Sequence, residues 1–166
     1  MNQADLKEVL HYNLEPGVFT WIVEVNKHKL KGRIAGSNSS DPDRYRKIKI
    51  RNKFYLAHRL AFLYVTGCLP VNFTDHINGD RHDNSWANLR EVNSTDNMRN
   101  AKKPNTNRSG VVGLYWDKNI NKWKVYIGSN GKQKYLCLTA DFFEDVCRRK
   151  SAELEFGYHK NHGRTA

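Results

Sequence analysis

Four polar residues in the middle of the chain have the types and order needed to hydrolyse a phosphodiester bond. Asp75 and His76 are adjacent, and Asn88 and Asn97 follow them. The reaction needs a deprotonated water, a neutralised phosphate charge and a stabilised leaving oxygen. Asp75 would give a divalent ion a hard oxygen ligand. His76 would act as the general base, because a histidine side chain titrates near neutral pH.

Asn88 and Asn97 would complete this set by holding the other two groups. The side chain or backbone carbonyl of Asn88 can keep an imidazole in one tautomer. Asn97 lies in a predicted helix, and its amide oxygen could reach a metal. Each residue alone has an ordinary explanation, as a structural pair, a turn residue or a solvated helix residue. The prediction therefore depends on their order and spacing together.

Alternation along a strand would point Asp75 and His76 in opposite directions, so the pair needs a bend, which the turn-prone Asn78-Gly79 makes plausible. His82 and Asp83 form a second pair, and we expect His82 at the surface or on DNA. We expect His58 to pack in the core beside the site. Three nearby cations could contact phosphates, namely Arg90, Arg99 and Lys102.

The first segment of the chain, residues 1–52, is predicted to be rich in β-structure. Val18–Val25 alternates and is rich in β-branched and aromatic residues, and Tyr45–Ile50 alternates basic and apolar residues. Gly36–Arg44 has the composition of a loop. The segment is either a second DNA-contacting lobe or a plain structural sheet; its candidate DNA contacts are Arg44, Arg46, Lys47, Lys49 and Arg51.

The central segment, residues 53–103, is predicted to contain two helices. The first covers Ala57–Gly67, with Gly67 as its C-terminal cap. Val71–Val92 is mostly loop-like in its pattern. The second helix covers Ser94–Lys103 with Ser94 or Thr95 as its N-cap.

The last segment, residues 104–166, is predicted to be a three-stranded sheet packed on one helix. The strands are Leu114–Asp117, Lys122–Ile127 and Lys134–Leu138, and Asn130-Gly131 is a strong hairpin signal. A helix from Ala140 to about Gly157 follows. Its expected apolar side consists of Phe142, Phe143, Val146, Cys147, Ala152, Leu154 and Phe156.

Three motifs give the chain a resemblance to the HNH endonucleases of bacteriophages, which include homing-type and nicking enzymes. They are AHRLAFLYVTGCLP, DHINGDRHDNSWANLR and STDNMRNAKK. The resemblance implies a ββα-metal core around one divalent ion, Mg²⁺ or Mn²⁺. It also implies that Asp75 and Asn97 bind the metal, that His76 activates water and that Asn88 positions His76. Many members have His where Asn97 stands, so metal preference and one-strand or two-strand cutting stay open.

The last segment resembles the AP2-like DNA-binding domains that follow such cores in phage proteins. The resemblance depends on SGVVGLYW, NKWKVYI, NGKQKYL and the closing helix. A sheet can enter the major groove, where its exposed face needs basic and planar side chains. Alternatively, Trp116, Trp123 and Tyr126 are core residues under the helix. The candidate DNA contacts are Arg108, Trp116, Lys118, Lys122, Lys124 and Lys134.

Composition agrees with a polyanionic partner. The net charge is +11, and residues 101–166 hold 13 Lys and Arg against 6 Asp and Glu. Such a charge attracts nucleic acid, although a solvated basic surface is the alternative. The three cysteines form no C-x-x-C pair, which argues against a disulfide framework or a zinc site.

The sequence thus predicts an α+β protein with the three segments as domains, acting on double-stranded DNA as a metal-dependent endonuclease. The alternative is a non-catalytic DNA-binding protein that keeps the fold. An RNA-binding or structural protein fits the charge but leaves the Asp-His and Asn set unexplained. No stretch approaches the roughly 20 apolar residues of a membrane span, and no signal pattern opens the chain. We therefore expect a soluble phage protein in the cytoplasm of a bacterial host, with no membrane partner.

Overall fold

The structure, a computed structural model, describes residues 1–24, 29–37 and 45–165. The chain divides into two compact units, Met1–Val92 (unit 1) and Asn93–Ala166 (unit 2), and each is described by itself. The described residues form a mixed α and β protein with four α-helices and several small sheets. The three segments predicted from the sequence, 1–52, 53–103 and 104–166, do not end where these two units end. The division into three domains stays a prediction. None of the described helices has the length and apolar character needed to cross a membrane.

Unit 1 begins with a helix that the predicted β-rich segment did not include. Helix α1 covers Gln3–Val9, and Asn2 caps it by accepting a hydrogen bond from the backbone N–H of Asp5, whose side chain bonds back to Asn2. Strands β1 (Leu10–Asn13) and β2 (Val18–Trp21) then form an antiparallel hairpin. The predicted strand from Val18 thus ends at Trp21, and Val25 lies outside the described residues.

A second hairpin leads into the main helix of unit 1. Strands β3 (Lys47–Ile50) and β4 (Lys53–Leu56) are antiparallel, and α2 covers Ala57–Thr66. The predicted alternation in β3 is confirmed, since Ile48 and Ile50 are buried and the two lysines are exposed. The predicted cap of α2 is also confirmed, because Gly67 adopts a left-handed conformation with φ 83°. Most of the predicted loop Gly36–Arg44, with the candidate DNA contact Arg44, lies outside the described residues.

Residues Val71–Val92 contain two short strands and a 3-10 helix, which their loop-like sequence pattern did not indicate. Strands β5 (Phe73–His76) and β6 (Leu89–Val92) pair antiparallel, and a short 3-10 helix, Trp86–Asn88, precedes β6. In β5 the adjacent residues Asp75 and His76 are both buried, so the strand lacks the alternation that would reveal it in the sequence. The core of unit 1 joins α1, α2 and the first two hairpins; it includes Leu6, Leu10, Tyr12, Phe19, Ile48, Leu60 and Ala61.

Unit 2 holds the second central helix and the C-terminal sheet. Helix α3 covers Ser94–Arg99, and its N-cap is Asn93 and not Ser94 or Thr95, because the Asn93 side chain accepts from the N–H of Asp96 at 2.9 Å. Three antiparallel strands follow in the order β7-β8-β9, and then helix α4. They are β7 (Leu114–Asp117), β8 (Lys122–Ser129), β9 (Lys132–Thr139) and α4 (Phe142–Glu155). All three predicted strands are present, with β8 and β9 longer at their shared turn.

The predicted apolar side of α4 is wrong in most positions. Phe143 and Leu154 are 76% and 82% exposed, and the other predicted members include the exposed Phe142 and Cys147. The buried side instead carries Asp145, Arg149, Ala152 and Glu153. Spacings of three and four residues place these on one face, and polar partners make their burial tolerable. Since three of these four buried residues are charged, the hydrophobicity of the sequence could not indicate which face of α4 is buried.

The turn between β1 and β2 packs closely on the segment that follows β5. The Tyr12 hydroxyl donates to the backbone carbonyl of Asn84 at 2.6 Å, and the N–H of Trp86 donates to the carbonyl of Leu14 at 2.9 Å. Gly17 has φ 65°, and a Cβ at this position would lie 2.0 Å from the carbonyl carbon of Asn84. Only glycine therefore fits this contact.

Gly17→Ala is expected to destabilise the protein more than Gly32→Ala. Gly32 has φ 80°, and no atom of the described residues lies within 4 Å of an added Cβ, so its substitution isolates the conformational cost of about 1–2 kcal/mol. At Gly17 the backbone of Asn84 must also move, and we expect at least twice that loss. Urea unfolding of both variants measures the difference, and equal losses would contradict the close packing.

His58, on α2, makes unfolding sensitive to acid. The ring is 5% exposed and lies edge-on to Tyr45 at 4.6 Å between centroids. Burial, followed by the positive charges available to His76 and Arg59, lowers the pKa of His58 to about 3. In the unfolded chain the pKa of His58 is near 6.5, so its imidazole binds a proton below that pH. In the folded protein the same imidazole stays neutral until the pH approaches 3. Stability from this residue is therefore complete above pH 6.5 and is lost as the pH falls toward 3.

His58→Gln is expected to reduce this acid sensitivity. Between pH 7.5 and pH 5 the wild-type protein should lose about 2 kcal/mol more unfolding free energy than the variant. Urea titrations at the two pH values test this. The other titrating groups are common to both proteins, so an equal pH dependence would show that His58 is not held neutral.

Candidate active site

The β5–β6 hairpin brings Asp75 and His76 together at the end of one strand. Asp75 lies opposite Arg90 and His76 opposite Leu89, and both side chains of the pair are buried, at 9% and 3% exposure. The strand ends at His76, where the N–H of Gly79 donates to the His76 carbonyl at 2.8 Å. A tight turn thus follows the pair directly, at the Asn78-Gly79 position that the sequence indicated.

An amide fixes the imidazole of His76. The Asn84 Oδ1 lies 3.2 Å from His76 Nε2, and Asn84 is 1% exposed. The Asn84 Nδ2 donates to the backbone carbonyl of His82 at 3.1 Å, which sets the amide so that its oxygen faces the ring. Because Oδ1 only accepts, Nε2 carries the hydrogen and Nδ1 carries the lone pair. The site therefore favours one neutral tautomer, which is the form that can accept a proton.

The surroundings of His76 act on its charge in two directions. Burial is the largest influence and lowers the pKa of His76 below its ordinary value. The hydrogen bond with Asn84 and three carboxylates raise the pKa and partly oppose burial; the carboxylates belong to Asp75, Asp83 and Asp80. The net result is an imidazole that is neutral at pH 7.

Aromatic rings enclose His76. The Tyr45 ring stacks at 5.8 Å between centroids and 26° between planes, and the His58 ring lies edge-on at 5.4 Å. The guanidinium of Arg81 lies 5.0 Å from the centroid of the Tyr45 ring. The prediction that His58 packs in the core beside His76 is confirmed. These rings hold the imidazole plane and keep water away from its faces.

Asn88 braces the loop that carries Asn84. Its Oδ1 accepts from the N–H of Asn78 at 2.9 Å, and its Nδ2 donates to the Asp83 carbonyl at 2.8 Å. Its own carbonyl accepts from the N–H of Ile77 at 2.9 Å. These bonds close residues 77–88 into a compact loop. The amide that meets the His76 ring belongs to Asn84, a residue that the sequence analysis did not select.

Only the fold distinguishes the two asparagines. Asn84 and Asn88 lie in the same polar stretch, and nothing in their spacing says which one reaches the imidazole. The second predicted pair also shapes this loop. The Asp83 carboxylate accepts from the Ser85 hydroxyl at 2.7 Å and from the Asn78 side chain at 2.7 Å.

Asp75 is paired with Arg90 across the hairpin. The Nε and Nη2 of Arg90 lie 3.0 and 2.8 Å from the same oxygen, Oδ2. The Arg90 side chain is 34% exposed and that of Asp75 is 10% exposed. Arg90, predicted as a phosphate contact, therefore neutralises a nearly buried carboxylate in this structure. Within residues 1–24, 29–37 and 45–165, no group of three His, Cys, Asp or Glu side chains lies close enough together to hold a metal ion.

Asn97, Arg99 and Lys102 belong to unit 2. Asn97 lies within α3, and its carbonyl accepts from the N–H of Asn100 at 3.2 Å. Arg99 lies 3.4 Å from Asp96 and 5.9 Å from the ring centroid of Tyr158. The structure thus brings together three predicted residues, Asp75, His76 and Asn88, within one unit.

The DNA contacts predicted on the C-terminal sheet do not share one face. Lys124 pairs with Asp117 at 2.6 Å on the open side of the sheet, where strand alternation also places Lys122. Trp116 contacts Trp123 at 5.1 Å, and Trp123 contacts Phe142 of α4 at 4.9 Å, so Trp116 is on the helix side.

Lys134 is also on the helix side, with its Nζ 5.0 Å from the ring centroid of Phe156. Arg108 precedes the sheet, and the exposed Lys118 lies in its first turn. The predicted single face of basic and planar side chains is therefore corrected to two faces. Trp123 packs against α4, as the core alternative predicted, while Trp116 stays 43% exposed.

Comparisons with known proteins match the part of the chain that contains the β5–β6 hairpin. The family model described as HNH endonuclease matches residues 55–99. Protein 3.8 of Escherichia phage T7 is 33% identical over 89 residues, which are 51% of this chain and 74% of the phage protein. No solved structure shows a significant match to the chain.

The matched HNH residues contain Asp75, His76, Asn84 and Asn88, and they extend to α3. Such a domain indicates a nuclease or DNA-binding role, with DNA as the substrate. The chain carries an HNH endonuclease domain at residues 55–99 and belongs to the same family as Protein 3.8 of Escherichia phage T7.

Proposed function

We propose that the protein is a metal-dependent DNA endonuclease that hydrolyses phosphodiester bonds, as a homing-type or nicking HNH enzyme of a phage. One observation carries the proposal: the imidazole of His76 is buried, neutral and held in a single tautomer by Asn84, directly beside the Asp75 carboxylate. A surface histidine in a structural loop needs none of these features. The HNH match and the basic charge support the same conclusion.

His76 is the general base in this proposal. With Nε2–H donating to Asn84, the Nδ1 lone pair takes the proton of the attacking water. Asn84 and the rings of Tyr45 and His58 keep the imidazole oriented before and after proton transfer, so little reorganisation accompanies the step. The cation formed on His76 is stabilised by the nearby carboxylates of Asp75, Asp80 and Asp83.

The residue types proposed as ligands suit one Mg²⁺ or Mn²⁺ ion. By type alone, Asp75 would offer a carboxylate oxygen and Asn97 an amide oxygen, and hard oxygen donors suit these ions. Mg²⁺ is commonly held by one or two carboxylates with waters and substrate phosphate, so a protein site without three acidic or His ligands is sufficient. When bound, the ion supplies charge neutralisation at the phosphate and stabilises the leaving oxygen.

Basic residues would hold the DNA backbone. Arg90 faces Asp75 and is one-third exposed, so its guanidinium can also meet a phosphate oxygen. Phosphate contacts set affinity and position, and they carry no sequence information. The proposed set is Arg90, Arg99, Lys102, Arg108, Lys118, Lys122 and Lys124, with Trp116 and Lys134 contributing from the helix side of the sheet. The working compartment in this proposal is the cytoplasm of the bacterial host.

The second candidate is a DNA-binding protein that keeps the HNH fold without cleavage. The Asp75–Arg90 ion pair favours it, because a guanidinium occupies the carboxylate that would hold the metal. The two candidates differ in one measurable property, which is whether phosphodiester bonds break.

His76→Ala is expected to lower the rate of plasmid cleavage by about 100- to 10,000-fold, because it removes the general base. The assay follows supercoiled plasmid with Mg²⁺ or Mn²⁺. Open-circle product indicates nicking, and linear product indicates cleavage of both strands. EDTA should abolish both products.

The controls separate the two candidates. His76→Ala should bind DNA in a gel shift as the wild-type protein does, since the residue is buried. Plasmid that stays intact with every metal, while the wild-type protein still shifts DNA, would establish the non-catalytic alternative. Cleavage that survives EDTA would contradict metal dependence.

Asn84→Ala is expected to lower the cleavage rate by about 10- to 100-fold, because the partner that sets the histidine tautomer is lost. Its DNA affinity should not change. Tyr12→Phe removes only the hydroxyl that holds the Asn84 carbonyl, so a smaller loss of rate is expected. Single-turnover cleavage measures both variants.

Asn72→Ala is the matched control for this series. Asn72 is an exposed asparagine beside the same hairpin, and it bonds Glu91 at 3.1 Å. It should cleave at the wild-type rate. A similar loss in Asn72→Ala and Asn84→Ala would mean that general destabilisation, and not imidazole orientation, explains the effect.

A further inference from the structure

Unit 2 contains a cavity to which the proposed cleavage chemistry assigns no ligand, although Arg99 and Lys102 of the proposed DNA-backbone set line it. Its volume is about 430 Å³, and all of its lining residues belong to unit 2. The walls come from α3, the segment before β7, the β8–β9 hairpin, α4 and the residues that follow α4. Small-molecule sites typically enclose about 300–1,000 Å³, so the cavity can hold one group of moderate size.

Two tyrosines give the cavity an aromatic wall. Tyr115 of β7 and Tyr126 of β8 line it, with 6.1 Å between their ring centroids and 65° between planes. Tyr115 is 52% exposed although it lies in a sheet. A third ring, Tyr135, lies next to Tyr126 at 5.7 Å and is also 52% exposed, but it does not line the cavity. Planar ligands bind such walls by stacking.

The polar part of the lining is cationic. Arg99, Lys102, Lys132 and Arg149 line the cavity, and none of the described lining residues is Asp or Glu. A cavity with this charge excludes cationic ligands and attracts anionic ones.

Arg149 is the most informative of the cations. It is only 2% exposed, and its Nε donates to the Val112 carbonyl at 2.8 Å. Its Nη2 lies 3.4 Å from Glu153, and its Nη1 has no hydrogen-bond partner within the described part of the chain. Because this guanidinium is buried and held by the protein, it contributes a fixed positive charge at the cavity wall, which favours an anionic group in the cavity.

A second stack holds the cationic wall in place. The Tyr158 ring contacts two guanidinium groups, with Arg149 at 5.1 Å and Arg99 at 5.9 Å from its ring centroid. The Tyr158 hydroxyl donates to the Gly128 carbonyl at 2.9 Å, which ties the segment after α4 to β8. The cations are therefore positioned by the protein itself before any ligand arrives.

We propose that this cavity binds a single unstacked nucleotide, with its base on the Tyr115 and Tyr126 wall and its phosphate toward the Arg149 and Arg99 side. A free phosphate would leave the aromatic wall without a role, and a neutral apolar ligand would make no use of the cationic lining. Base stacking on tyrosine tolerates every base, so the site adds affinity without sequence preference. If the protein acts on DNA as proposed above, the nucleotide is one whose base is turned out of the bound duplex. This part of the inference rests on the proposed function.

The test uses the full-length protein in EDTA, so that binding is measured without cleavage. One arm titrates the protein into duplex DNA containing 2-aminopurine, whose fluorescence rises when it leaves the stack. The other arm measures saturation-transfer NMR signals from the four deoxynucleoside monophosphates. Tyr115→Ala should weaken the affinity in the responding arm by about 5- to 150-fold. Tyr115→Phe should retain it, because the ring face remains.

Tyr135→Ala is the matched control, since it removes an equally exposed tyrosine from the same face outside the cavity. It should bind as the wild-type protein does. A fluorescence rise supports an unstacked nucleotide of DNA, and NMR signals without that rise support free nucleotides as the source. Absence of both signals, or an equal effect of Tyr115→Ala and Tyr135→Ala, would overturn the proposal. Because neither arm needs cleavage, a failed plasmid assay and a failed cavity assay are separate results.

Discussion

The hydrogen bond between His76 and Asn84 is the interaction on which the candidate active site depends. An imidazole at 3% exposure needs a polar partner, and the identity of that partner decides which ring nitrogen carries the proton. Asn84 is held in turn by the His82 carbonyl and by the Tyr12 hydroxyl. The N-terminal hairpin, whose role the sequence left open, therefore acts as a support for the loop that orients the imidazole.

Both units place charged groups where apolar packing is expected. In unit 1, Arg90 neutralises Asp75 across the β5–β6 hairpin. In unit 2, the buried side of α4 carries Arg149 and Glu153. Burial of such groups contributes little net stability even when they are paired, whereas an unpaired one is strongly destabilising. The positions of these buried charged side chains are therefore restricted by their partners. Side chains held in fixed positions are suited to ligand recognition and catalysis.

The two units present different chemistry to a nucleic acid. Unit 1 has a neutral, oriented imidazole beside a carboxylate, and unit 2 has a cationic cavity with tyrosine walls. The matched HNH residues, 55–99, continue from unit 1 into α3 of unit 2. The C-terminal sheet also has two different faces. Lys124 lies on its open side, and Trp116 lies on the side that α4 covers. DNA binding through this sheet can therefore involve only part of the predicted set at one time.

The sequence by itself determined the features that depend on neighbouring residues. Helix α2 with its Gly67 cap, the alternation of β3 and the three C-terminal strands were all predictable from local pattern. Tertiary structure alone decided which asparagine meets His76, since Asn84 is fixed by Tyr12 across 72 residues of chain. It also decided that α4 buries Arg149, because the acceptor of its Nε is a backbone carbonyl 37 residues away. Contacts at such separations leave no periodic signal, and hydrophobicity scales assign buried charges to the surface.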